Sequence, residues 1–93
     1  METIIIPNRK KIEARACKSA LELEQLDKEI ERNRQLYLNT LDEKYLEETI
    51  KLTLSWKPRC TISYLQRHLY APETSIRKII EKLEKEGYIS IDK

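Results

Sequence analysis

The chain has a single glycine, Gly87, only three prolines among its 93 residues, and no phenylalanine. So little glycine and proline excludes a loop-rich β fold or a low-complexity disordered chain, and leaves long helices as the natural reading. No apolar run approaches the roughly 18 residues that a membrane-spanning helix needs, so no membrane partner is expected. The opening METIIIPNRKK puts its charges after a short apolar run, the reverse of a secretory signal, which points to the cytoplasm. Histidine occurs once, at His68, and cysteine twice, at Cys17 and Cys60. Those three cannot make a four-ligand zinc site within one chain, so no metal and no cofactor is expected, and both thiols read as reduced. One histidine without a nucleophile and base pairing leaves little for catalysis. A phosphate-binding Gly-x-x-x-x-Gly-Lys is absent as well, so the reading is neither an enzyme nor a motor, with no small-molecule substrate.

What is abundant is charge, 37 % of residues, beside an apolar content of 40 % that can build one modest core. The net charge of +2 says little about partners, but its distribution says more. Between Lys57 and Lys82 the cations are Lys57, Arg59, Arg67, Arg77, Lys78 and Lys82, against only Glu73 and Glu81. A local basic excess on a near-neutral protein attracts phosphate in a salt-sensitive way.

Ile4, Ile5 and Ile6 either pair as an edge strand or fray, and Pro7 ends their run. From Asn8 to Asn39 there is neither Gly nor Pro, the composition of one long helix. Ile12, Ala16, Ser19, Leu23, Leu26, Ile30, Asn33 and Tyr37 alternate in steps of four and three, a heptad seam. A helix of about 30 residues would be ~45 Å long and could not be covered by a 50-residue domain. Its seam therefore seeks a second copy of itself, or else folds back on its own chain. On the first reading Ile12, Leu23, Leu26, Ile30, Asn33 and Tyr37 form a dimer contact, with Asn33 setting register. Residues 1–39 are then a coiled-coil dimerisation element, and residues 40–93 a domain with its own core.

Within that domain Thr40 and Glu43 form a capping-box pattern ahead of a helix from Asp42 to Trp56, which Lys57-Pro58 stops. Cys60-Thr61-Ile62 is short and β-prone. Ser63 with Gln66 reads as a second capping box, opening a helix from Tyr64 to Tyr70. Pro72 suits the first turn of the next helix, in which Ile76, Ile79, Ile80 and Leu83 make one apolar stripe. Gly87 suits the left-handed residue that ends it, and Tyr88–Ile91 is a strand expected to pair with Cys60–Ile62. The fold expected is mainly α: a winged helix-turn-helix of three helices and a short two-stranded sheet with a truncated wing, preceded by a long N-terminal helix.

A helix-turn-helix places its second helix in a DNA groove. With the isoleucines turned inward, the first turns of that helix offer Thr74, Ser75 and Lys78 to base edges. Arg77 and Lys82 then meet phosphates, and Lys57, Arg59, Arg67 and His68 grip the backbone. The bland reading of the same face is a solvated Lys/Arg/Glu surface.

Residues 42 to 90 resemble the gamma domain of the FtsK/SpoIIIE DNA translocases. The family has an acidic first helix, an Ile-Ser-x-Leu-Gln-Arg block, and a last helix ending Leu-Ile-x-x-Leu-Glu-x-x-Gly-Ile. The matching residues are Ile62, Ser63, Leu65, Gln66 and Arg67, then Ile79, Ile80, Leu83, Glu84, Gly87 and Tyr88. The resemblance covers about half the chain and implies a winged helix that binds duplex DNA and touches a Xer-type recombinase. Where the family's last helix begins Gly-Tyr-Asn-Arg-Ala-Ala-Arg, this chain has Pro72, Glu73, Thr74, Ser75, Ile76, Arg77 and Lys78. Only the basic character at Lys78 survives, so the family's target sequence is not carried over.

Two functions follow. The first is a small stand-alone DNA-binding protein, a regulator or accessory factor of a bacterial, plasmid or phage system, dimerised through its first helix. The second keeps the fold as a protein-binding adaptor for a recombinase or replication protein, because Glu73 and Glu81 would repel phosphate.

Overall fold

Three consecutive β-branched residues followed by proline make the first element, strand β1 (Ile4–Pro7), and it lies at the centre of the sheet. In this computed structural model, which describes residues 3–15, 19–57 and 59–92, the strand order is β2-β1-β3. Strand β2 is Cys60–Thr61 and β3 is Ile89–Asp92. Both pair antiparallel with β1: Ile4 lies opposite Thr61 and Asp92, and Ile5 opposite Cys60 and Ile91. The expected pairing of β3 with β2, and the edge or frayed place of Ile4–Ile6, are thereby corrected. The sheet has three strands, with Ile4 and Ile5 paired on both sides and Ile6 on the β3 side alone. Pro7 is tolerated because it closes the strand, opposite Ile89, where a missing N–H costs least.

The helix expected from Asn8 begins only at Ala20: α1 spans Ala20–Thr40. Asn8 shows why. Its side chain accepts from the Lys10 amide at 3.1 Å and donates to the Gly87 carbonyl at 2.8 Å, while its own carbonyl takes the Lys11 and Ile12 amides. These local bonds compete with a helix and turn the chain across the end of the next element. Arg9 then donates to the carbonyls of Leu54, at 3.0 Å, and Lys57, at 3.4 Å, capping helix α2 (Glu43–Trp56) at its negative end. Ser19 supplies the N-cap of α1, its Oγ accepting from the Glu22 amide at 3.2 Å. Ala16 and Cys17 lie outside the described residues.

The remaining caps also move. Leu41, left-handed at φ 56°, ends α1, and Asp42 rather than Thr40 caps α2 by accepting from the Lys44 amide at 3.1 Å. Thr40 instead donates back to the Leu36 carbonyl. Helix α3 (Ile62–Leu69) is capped by Thr61, whose Oγ1 accepts from the Tyr64 amide at 3.1 Å, two residues ahead of the Ser63 expected. Helix α4 (Glu73–Lys85) follows Pro72 and ends before Gly87, whose φ of +80° is the left-handed conformation expected there.

A two-residue link folds α1 back on α2. Leu26 and Tyr37 are buried, Ile30 and Asn33 half-buried, and Leu23 stays 41 % exposed. The seam is thus covered in part by its own chain, the fold-back arrangement. Thr49 and Thr53 reach full burial in α2 by donating to the carbonyls of Tyr45 and Thr49, four residues back. Ile12, counted into the seam, precedes the helix and packs in the core with Ile5. That core, completed by Leu46, Ile50, Leu65, Ile76 and Leu83, draws on both halves of the chain.

Candidate nucleic-acid interface

The stripe of Ile76, Ile79, Ile80 and Leu83 is buried, as its spacing requires, and this sets the rotation of α4. Thr74, Arg77, Lys78, Glu81, Lys82 and Lys85 are therefore exposed, with Ser75 half-buried at the edge. A three-residue turn, Tyr70 to Pro72, aims the helix. Tyr70 takes the left-handed conformation at φ 52° although it is not glycine, and the next residue, Ala71, is buried in the core. The Arg34 guanidinium lies over the Tyr70 ring at 4.9 Å and donates to the His68 carbonyl, tying α1 to the end of α3.

The cations of α4 are not bare. Lys78 Nζ lies 3.3 Å from Glu43 Oε1 and Lys82 Nζ 3.0 Å from Glu47 Oε2. Both acids are on α2, four residues apart, as the lysines are on α4, so the pairs form two rungs between the helices. Arg77 pairs with Glu73 at 3.1 Å on its own helix. Glu47 is the most enclosed of these, with its side chain 14 % exposed. Burial pushes its carboxyl up, but the Lys82 hydrogen bond and the charges of Lys51 and Lys82 outweigh that and hold it below the ordinary carboxylate range. The hydrogen bond and charge of Glu47 in turn raise Lys82. The local basic excess read between Lys57 and Lys82 is thus offset by acids from an earlier helix that a linear window does not see. Lys85 and Arg67 take part in no ion pair among the described residues.

The other expected contacts separate into a second region. Lys57 Nζ lies 4.2 Å from the Tyr64 ring centroid, and the His68 ring 4.1 Å from the same ring. Lys57 and His68 therefore gather around Tyr64, away from the groove of Lys78, Glu81, Lys82, Lys85 and Glu86 on α4. Arg59 and Arg67 are exposed on the approach to and the last turn of α3. Beside Tyr64 a recess of about 290 Å³ lies where α1, α2 and α3 meet, with Trp56, Ile30, Asp27 and Arg34 in its wall.

Sequence reasoning missed Lys11 and Lys51, which lie 5.0 and 4.2 Å from the centroid of the Tyr88 ring beside the sheet. No local signal joins positions so far apart. Glu43 and Glu47 were legible in principle, since acids at i, i+4 on one helix match lysines at i, i+4 on another.

Among the described residues no group of His, Cys, Asp and Glu could hold a metal ion, and no helix is long and apolar enough to cross a membrane. Burial pushes the Cys60 thiol up to about 11, so it stays protonated and inert at neutral pH. No protein-family model, curated protein or solved structure matches the chain.

Proposed function

We propose that this is a small cytoplasmic DNA-binding protein that presents α4 to the major groove of duplex DNA. The observation that carries the reading is the order of elements around α4. Helix α3, a three-residue turn and α4 make a helix-turn-helix, and α4 runs through Gly87 into β3, whose antiparallel partner is β1. A wing is a hairpin that follows the recognition helix. Here its second strand comes from the opposite end of the chain, which supports a winged helix beyond the short two-stranded version expected. The exposed Thr74, Lys78 and Lys82 then face the groove, while Arg67 meets the backbone.

Leu23, half-exposed on α1, supports association of two copies through that helix, which would address two half-sites and raise affinity without new contacts. Such a build suits a regulator or accessory factor of a bacterial, plasmid or phage system. The resemblance to FtsK/SpoIIIE gamma domains rests on the quoted residues alone and supports the same reading.

One observation favours the adaptor reading. Lys78 and Lys82 are already neutralised by Glu43 and Glu47, so a partner protein such as a recombinase or replication factor would meet a mixed-charge surface. Fluorescence anisotropy with a labelled random-sequence duplex, titrated at rising salt, separates the two. The DNA-binding reading expects micromolar affinity that collapses between about 50 and 200 mM salt. Anisotropy unchanged at every salt concentration overturns it in favour of the adaptor.

A further inference from the structure

We infer that Glu43 and Glu47 are an internal competitor for DNA, holding the two central cations of α4 in an ion-pair ladder that backbone phosphate must displace. The inference rests on the DNA-binding reading and assigns to α2 the control of its affinity. Both rungs join residues 35 positions apart and repeat at one-turn spacing on each helix. That geometry presents two carboxylates to Lys78 and Lys82 at the separations of ordinary ion pairs, 3.3 and 3.0 Å.

The rungs differ. Lys78 and Glu43 are 71 % and 47 % exposed in their side chains, so solvent screens this pair and it opens readily. Lys82 meets the more enclosed Glu47, which Lys51 also reaches at 3.5 Å. Glu47 therefore keeps a cationic partner when Lys82 swings towards a phosphate. No carboxylate is left without a partner by that exchange, which makes the second rung displaceable as well. The ladder thus lowers affinity for any duplex without blocking the helix.

The test replaces the carboxylates by isosteric amides in the full chain: Glu43→Gln, Glu47→Gln, both together, and Glu48→Gln as a control. Glu48 carries the same charge on α2 but lines a recess with Glu29, Arg32 and Asn33 of α1. Binding of a labelled random-sequence duplex is read by anisotropy across salt, with circular dichroism melting to verify the fold of each variant. Each ladder substitution is expected to tighten binding about threefold and the double variant about tenfold, the scale of exposed ion pairs. The double variant's slope of log affinity against log salt should steepen by one to two units. Glu43→Gln, at the exposed rung, carries the test even where Glu47→Gln melts early. If the ladder variants bind no tighter than the original chain, or Glu48→Gln tightens binding as much as Glu43→Gln, the inference is overturned while DNA binding stands. If neither the original chain nor any variant binds duplex, the DNA-binding reading falls, and the inference with it.

Discussion

Ile4 and Asp92 are paired across the antiparallel strands β1 and β3, so two residues 88 positions apart in sequence are sheet neighbours. The strand that follows the candidate recognition helix is held in place by β1, far upstream of it in sequence. Removing that segment should therefore be felt at α4 and β3.

A chain beginning at residue 40 retains Leu46, Ile50, Leu65, Ile76, Ile80 and Leu83, which on sequence alone looks like a sufficient core. It loses Ile5, Ile12 and Tyr37 and leaves β2 and β3 without a common partner. We expect this fragment not to melt cooperatively at 20 °C by circular dichroism. In the full chain, Ile5→Ala should cost about 2–5 kcal/mol in urea unfolding, as for other fully buried aliphatic truncations. A fragment that melts as sharply as the full chain would show that β1 is dispensable.

The Glu47–Lys82 pair predicts a pH dependence. Because the folded state lowers the Glu47 pKa from 4.5, its stabilisation is present above that value and fades as pH falls through the lower folded one. Because the folded state raises the Lys82 pKa from 10.5, its stabilisation is full below that value and fades as pH rises through the higher folded one. Melting temperatures of the original chain and Lys82→Met should differ most between these limits and converge outside them. A difference independent of pH would mean that Lys82 acts through its methylene packing alone.

On α4, Lys78→Glu should abolish duplex binding, whereas Lys85→Glu, two turns further on, should only weaken it. Loss of a phosphate contact flattens the salt slope by about one unit, and loss of a base contact costs roughly 1–3 kcal/mol at one position of the site. Unchanged affinity and slope for Lys78→Glu would show that this helix does not enter DNA.

Leu26 and Leu23 separate folding from association. Leu26 is buried against the rest of the chain, so Leu26→Ala should cost about 2–5 kcal/mol of stability. Leu23 is 41 % exposed, so Leu23→Asp should leave the melting temperature nearly unchanged and convert a dimer to a monomer in sedimentation. An original chain that sediments as a monomer at micromolar concentration contradicts association through α1.

The sequence made α4 legible because its signal is local. Ile76, Ile79, Ile80 and Leu83 mark one face within three turns, and Gly87 marks the stop. The same reading overextended α1, since lack of Gly and Pro permits a helix but does not start one; Asn8 and Ser19 decided the start through side-chain bonds. The place of β1 was invisible for a different reason. Ile4–Ile6 carry strand propensity, but their partners, Cys60–Thr61 and Ile89–Asp92, are chosen by the packing of helices in between. The exposure of Thr74, Lys78 and Lys82 follows from that local stripe, whereas Lys57 and His68 turned to Tyr64, and the acids facing α4 came from outside the window in which charge was counted.

The central position of β1 also sets an order of events during synthesis. Its isoleucines leave the ribosome well before their strand partners: Cys60 follows Ile5 by 55 residues, and Ile89–Asp92 come later still. Until then an apolar strand with two unsatisfied edges is exposed on the growing chain, the kind of segment that pairs wrongly with its neighbours. Closing the sheet demands contacts of high sequence separation, so it should be the slow, final step, after the helix pairs have formed. The helix proposed to meet DNA would acquire its flanking sheet only as the last strand arrives.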